Sequence, residues 1–272
     1  MSRDLAVGDM IEHEIDAMFT TQATPVEAIH RLRIAVKTIR ALLRLAKPKL
    51  TRRNYRNADR FFRDLAGRLR SDREADVRLE TLDDLARRRG RHLSPDDAAE
   101  ARRGLLAAMA QDGDEGRQQR LARLRNDLNA QRAHMPLQDL RLNRHEVARG
   151  LRRAYRRSRR AYRTALAQPS GRNLHAWRKA CKTLLYQLAA TPDETAAATY
   201  EPDLTALGHR LGRLHDLSRL AKHLRAEPDG GAHARVAALA KRLMKQQAKK
   251  ALAAGGTLFA RRPRDWAISP SS

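Results

Sequence analysis

Two stretches of this chain, 145 positions apart, carry the same two-faced pattern. In the first, Ile29, Leu32, Val36, Ile39 and Leu43 recur at steps of three and four, and His30, Arg33, Lys37, Arg40 and Arg44 each follow one residue behind. In the second, Leu174, Trp177, Cys181, Leu184 and Leu188 match the apolar set, and His175, Arg178 and Lys182 match the basic one. A helix turns by about 100° per residue, so a set displaced by one position lies beside its parent rather than opposite it. Each stretch must therefore be a helix that buries an aliphatic seam and carries a row of cations, headed by a histidine, along the edge of that seam. Solvated helical faces ordinarily mix signs, because opposite charges at i and i+4 attract and like charges repel. Here the row has one sign, and it occurs twice.

The charge balance agrees. Lys and Arg number 56 against 31 Asp and Glu, a formal charge of +25, which calls for an anionic partner. At 42% hydrophobic residues the chain can build a core and is not a disordered basic tail. It contains no run of about 18 apolar residues, and Met1–Met10 does not read as a targeting segment, so the expectation is a soluble cytoplasmic protein with no membrane partner. Cys181 is the only cysteine, which excludes an intrachain disulfide or a multi-cysteine metal site. Its place in the second seam assigns it to packing.

All predicted elements are helices, since period-two runs of Val, Ile and aromatic residues are missing. Helices are expected over Leu5–Phe19, from Pro25 to just before Pro48, over Arg52–Arg70, Ala75–Arg89, Pro95–Gln111, Arg117–Arg132 and Arg144–Ala167, from about Arg172, and over Glu194–Leu224 and Ala232–Ala254. Thr24, Pro25 and Glu27 combine an N-cap, a first-turn proline and a capping-box carboxylate. Breaks are expected at Asp112–Gly116, Met135-Pro136, Pro169–Gly171 and Pro228–Gly231, and Arg261–Ser272 reads as a loose tail. The repeat extends further, because Leu65, Leu69 and Leu82 have counterparts in Leu207, Leu211 and Leu224 at a shift of 142. The expected fold is all-α. Two pseudo-symmetric antiparallel helical bundles, residues 5–132 and 140–254, would arise from an internal duplication and pack around a basic groove or channel in a single domain over residues 1–260.

Five segments in order carry a family resemblance. They are His30-Arg31-Leu32-Arg33-Ile34-Ala35-Val36-Lys37-Thr38-Ile39-Arg40, Arg73-Glu74-Ala75-Asp76-Val77, Leu151-Arg152-Arg153-Ala154-Tyr155-Arg156-Arg157, Leu174-His175-Ala176-Trp177-Arg178-Lys179-Ala180-Cys181-Lys182 with Tyr186, and Leu211-Gly212-Arg213-Leu214-His215-Asp216-Leu217. Over most of its length the chain resembles the CHAD domain, an α-helical domain marked by histidines. That resemblance implies non-catalytic binding of inorganic polyphosphate through basic residues lining a cavity between two bundles, with association with polyphosphate granules and no cofactor.

The residues suit such a ligand on their own chemistry. A chain of phosphates offers charge at every monomer and no bases, so it needs rows of guanidinium and ammonium donors. The candidates are His30, Arg33, Lys37, Arg40 and Arg44 in the first stretch and His175, Arg178, Lys179 and Lys182 in the second. To these are added Arg152, Arg156 and Arg159, aligned with Arg163 on the preceding helix, their neighbours Arg153 and Arg160 beside Arg157, and His215. A neutral imidazole donates one hydrogen bond, and it gains charge near about pH 6. Trp177 and Tyr186 are expected in the core, and Asp76 and Asp216 as partners of buried arginines.

Other phosphate-rich polyanions, nucleic acids among them, are a second reading that charge alone would support. It is weakened by the 4% of aromatic residues, which leaves few stacking platforms, and by the lack of a zinc-finger or RNP pattern. A metal-dependent phosphohydrolase is a third. Glu12-His13-Glu14 is similar to the start of a triphosphate-tunnel motif, but it falls in a helix with Asp16 where that motif has Lys, and His209, His215 and His223 are not spaced as an i, i+4 ligand pair. No nucleophile stands with an evident base, so no catalytic residue and no metal ligand is expected.

Overall fold

Among the described residues of the computed structural model there are ten α-helices: α1 (Val7–Ala17), α2 (Pro25–Leu45), α3 (Arg52–Arg68), α4 (Arg70–Arg89), α5 (Pro95–Met109), α6 (Asp114–Arg132), α7 (Arg144–Ala167), α8 (Gly171–Ala189), α9 (Glu194–Ala226) and α10 (Gly231–Leu258). The structure describes residues 4–18, 24–89, 92–109, 114–132, 134–135, 137, 139–191, 194–226 and 231–266, and only the backbone at 25, 70–74, 89, 108–109, 114–115, 117 and 194–198. The all-α expectation holds apart from one small ribbon, in which β1 (Leu5–Ala6) pairs antiparallel with β2 (Arg141–Leu142). That pairing takes Leu5 and Ala6 out of the first helix. Among the described residues no helix is long and apolar enough to cross a membrane.

Caps fall where local chemistry puts them. Thr24 Oγ1 accepts from Glu27 N while the Glu27 carboxylate accepts from Thr24 N, so two of the free amides that begin α2 are satisfied reciprocally. Asn143 and Glu146 form the same box at α7, and Thr51 and Ser170 cap α3 and α8. The expected turn at Asp112–Gly116 is shorter than predicted, because α6 already begins at Asp114 and takes in Gly116. Phe19, Gly90, Gln111, Asp112, Gly113, Pro136 and Pro228–Gly230, where other helix ends and breaks were expected, lie outside the described residues.

Both predicted seams are buried along their whole length. Helices α2 and α8 pack on each other, and Gln187 Nε2 ties them by donating to the Ala41 carbonyl at 2.8 Å. Helix α8 packs in turn on α9, α9 on α4, and α4 back on α2, so the four helices contact one another in a cycle. The apolar core divides in two, and the division does not follow the two halves of the sequence. One cluster joins α1, α2, α3, α6, α7 and α8 with the first part of α9 and the end of α10. The other joins Leu82, Leu85 and Leu105 of α4 and α5 to Leu220, Leu224, Val236 and Leu239 of α9 and α10.

The tail differs from expectation. Trp266 is buried, stacked on Tyr155 with ring centroids 4.4 Å apart and planes 10° from parallel, and Tyr155 Oη donates to the Arg261 carbonyl at 3.0 Å. A turn closed by Trp266 N donating to the Arg262 carbonyl brings the ring round. A single tryptophan among Arg, Pro and Ser has no periodicity, which is why the sequence reads as loose up to that point; 267–272 lie outside the described residues.

Gly255 marks a close helix approach. A Cβ there would lie 2.6 Å from Trp177 Cζ2 and 2.7 Å from the Tyr162 ring. Helix propensity alone favours alanine over glycine by about 1 kcal/mol, but the neighbours are rigid buried rings. We expect Gly255→Ala to destabilise the fold by about 1–3 kcal/mol in a urea titration; a gain in stability would show that α10 can move away at no cost.

Candidate functional site

The two basic rows meet different surroundings. In α2, Arg33 Nη1 donates to the Leu69 carbonyl at 2.8 Å. Leu69 is the C-cap of α3, where the helical ladder stops and carbonyls lack intrahelical partners. Arg40 holds both oxygens of Asp59, at 3.0 and 3.4 Å, and Arg44 reaches the same carboxylate at 3.3 Å while also donating to the Arg40 carbonyl. Burial, and then the charge of Arg40, lower the pKa of Arg44, with Arg157 of α7 adding to the crowding and Asp59 opposing it. Lys37 is half-buried and His30 is exposed. Three of the five predicted residues in this row therefore fasten α2 to α3.

The row on α8 faces α9. The rings of His175 and His215 stack at 4.4 Å with planes 24° apart. Arg178 lies against Gly212, close enough that a Cβ at that glycine would be 3.9 Å from Arg178 Nε, and this nitrogen is buried without a hydrogen-bond partner among the described residues. Burial lowers the pKa of Lys182, Arg178 lowers it further, and Asp216 pulls the other way. Tyr186, expected in the core, is only half-buried; burial raises its hydroxyl pKa, and it feels both Arg178 and Glu14 of α1. Trp177 is fully buried, as expected.

The shift of 142 relates these surroundings. The sequence repeat pairs Leu69 with Leu211; Leu69 lies at the junction of α3 and α4, whereas Leu211 lies within the single helix α9. Where α3 breaks, a spare carbonyl takes the guanidinium of Arg33. Helix α9 runs unbroken through Leu211, so its carbonyls are engaged along the helix, and Arg178 at the equivalent place lacks that acceptor.

The other candidates are dispersed. Arg159 Nε donates to the Phe259 carbonyl at 2.9 Å and closes the end of α10. Arg152 is half-buried with its Nε unpartnered among the described residues, and Arg153, Arg156, Arg160 and Lys179 are exposed. Sequence reading missed Arg219, whose charge acts on His215 from one turn further along α9, and Asp59, which organises the first row. The i+4 spacing of Arg219 from His215 was the available signal. A cavity of about 590 Å³ opens between α4, α9 and α10, lined by Glu80, Asp84, Arg88, Arg213, Asp216 and Gln247 among others. Its polar lining mixes signs, unlike the rows. Among the described residues no three His, Cys, Asp or Glu side chains gather as a metal site would require.

His215 reports the electrostatics of the cluster. Burial first, then His175, Arg178, Arg219 and Lys179, bring its pKa from the usual 6.5 to about 3. A histidine with a depressed folded pKa takes its proton more readily when unfolded, so stability is lost as pH falls from about 6.5 towards 3. His215→Gln should flatten that loss in urea titrations between these limits, and an unchanged pH profile would show that the imidazole is not held neutral by its neighbours.

Among curated proteins, none matches the chain. The model of the CHAD domain family matches residues 4–225, a span that takes in both basic rows and the histidine pair. The chain belongs to the CHAD domain family.

Proposed function

We propose that this protein binds inorganic polyphosphate without turning it over, on a basic groove enclosed by the cycle of α2, α8, α9 and α4. One observation carries the reading: Arg178 and Lys182 sit half-buried beside a stacked histidine pair, with Lys179 and Arg219 close by, and among the charges acting on Lys182 only Asp216 is opposite in sign. Crowding cations in partial burial is unfavourable in the free protein. A ligand with a negative charge on every unit relieves that repulsion over several side chains at once. The duplicated rows supply donors from both halves, Lys37 from α2 and Lys182 from α8 at equivalent positions.

The ligand is base-free on this reading because no Phe, Trp or Tyr among the described residues is exposed. Recognition of single-stranded nucleic acid leans on such platforms. The expected setting is the cytoplasm, at polyphosphate granules, with no cofactor.

Binding should be strongly salt-dependent. If about six phosphates are neutralised, a slope of roughly 0.7 per phosphate predicts a loss of about four decades in affinity per tenfold rise in salt. Lys37→Glu with Lys182→Glu should weaken polyphosphate binding by about a hundredfold or more at moderate salt while leaving the helical circular dichroism unchanged. Equal affinity of the double variant in calorimetry, or release of orthophosphate from long polyphosphate in the presence of magnesium, would overturn the proposal.

A further inference from the structure

Helix α10 lies beyond the stretch matched to the family and carries a cationic face of its own. Lys241, Arg242, Lys249 and Lys250 are exposed and Lys245 is exposed beside them, and none makes a hydrogen bond or ion pair among the described residues. The helix contains no Asp or Glu over 231–258. Arg242, Lys245 and Lys249 fall at i, i+3 and i+7, one line along the helix about 10 Å long. On the other side Val236, Leu239 and Ala240 are buried against α5 and α9. Helix α10 packs on α9 and α5, and α9 packs in turn on α8, which carries His175.

The character of the face selects its partner. No exposed aromatic residue among the described ones offers a surface for a base, and none of the exposed large hydrophobic residues is on α10, so nothing flanks the charges that would enter a membrane. What remains is a straight run of ammonium and guanidinium groups, suited to a flexible, base-free polyanion. We infer that α10 is a second polyphosphate track, separate from the groove, so that one molecule holds two strands and cross-links long polyphosphate. The inference rests on the proposed polyphosphate binding.

The test compares the full chain with the variant Arg242→Ser, Lys245→Ser, Lys249→Ser, whose substituted side chains make no ion pair within the described chain. Two readouts are needed: calorimetric affinity for a polyphosphate too short to span both faces, and light scattering on mixing with long-chain polyphosphate. The expected result is a tight-site affinity for the short chain within about twofold of the unsubstituted protein, with scattering lowered at least tenfold. Undiminished scattering from the variant, or no scattering from the unsubstituted protein despite tight short-chain binding, would overturn the second track. Loss of short-chain affinity in the variant would also overturn it, by making α10 part of the first site. If the unsubstituted protein binds neither chain length, the polyphosphate reading itself fails.

Discussion

A row of like charges fixed beside a buried apolar seam has to be neutralised from somewhere, and that requirement organises this molecule. The seam cannot turn outward, because its five apolar positions in each of α2 and α8 hold the core. The cations one residue further round are therefore held at the edge of the interior, where solvent screens them less well than at an open surface. Their neutralisation must come from the chain or from a ligand.

The two halves answer differently. Around α2 the chain supplies the acceptors itself: the carbonyl left spare where α3 ends, and Asp59 shared between Arg40 and Arg44. Around α8 the corresponding partner is one continuous helix, which has no spare carbonyl opposite Arg178, and His215 is kept neutral by burial and by the cations around it. Arg178 and Lys182 are thus held between α8 and α9 with Asp216 as the opposing charge acting on Lys182. On the proposed function, a polyanion would do there what the end of α3 and Asp59 do around α2, and this difference between the two basic rows links the fold to the proposed activity.

Much of this was legible in the sequence. The seams, the capping box at Thr24 and Glu27, and the helical start at Glu194 follow from local spacing and cap chemistry, and the structure has each of them. The order of motifs placed His215 near His175 in function, though not in contact. What could not be read depends on tertiary partners. Arg33 and Arg178 look equivalent in the sequence, and only the break at Leu69 separates an arginine that fastens helices from one that lacks an acceptor. Trp266 carries no pattern that announces Tyr155 as its platform. The sharing of α4 and α5 with α9 and α10 in one core cluster is a choice among helix pairings that amphipathicity leaves open.

Whether a polyanion neutralises the second row is tested most directly by following the imidazole resonances of the full chain during titration with polyphosphate. His175 and His215 should shift together and saturably, with the pKa of His215 rising, because an anion on Arg178 and Lys182 removes the repulsion that adds to burial in keeping it neutral. The exposed His145 and His209 serve as internal references and should move little. If those surface histidines respond while the stacked pair stays unchanged at saturation, the polyanion binds elsewhere, and the charge between α8 and α9 is not what recruits it.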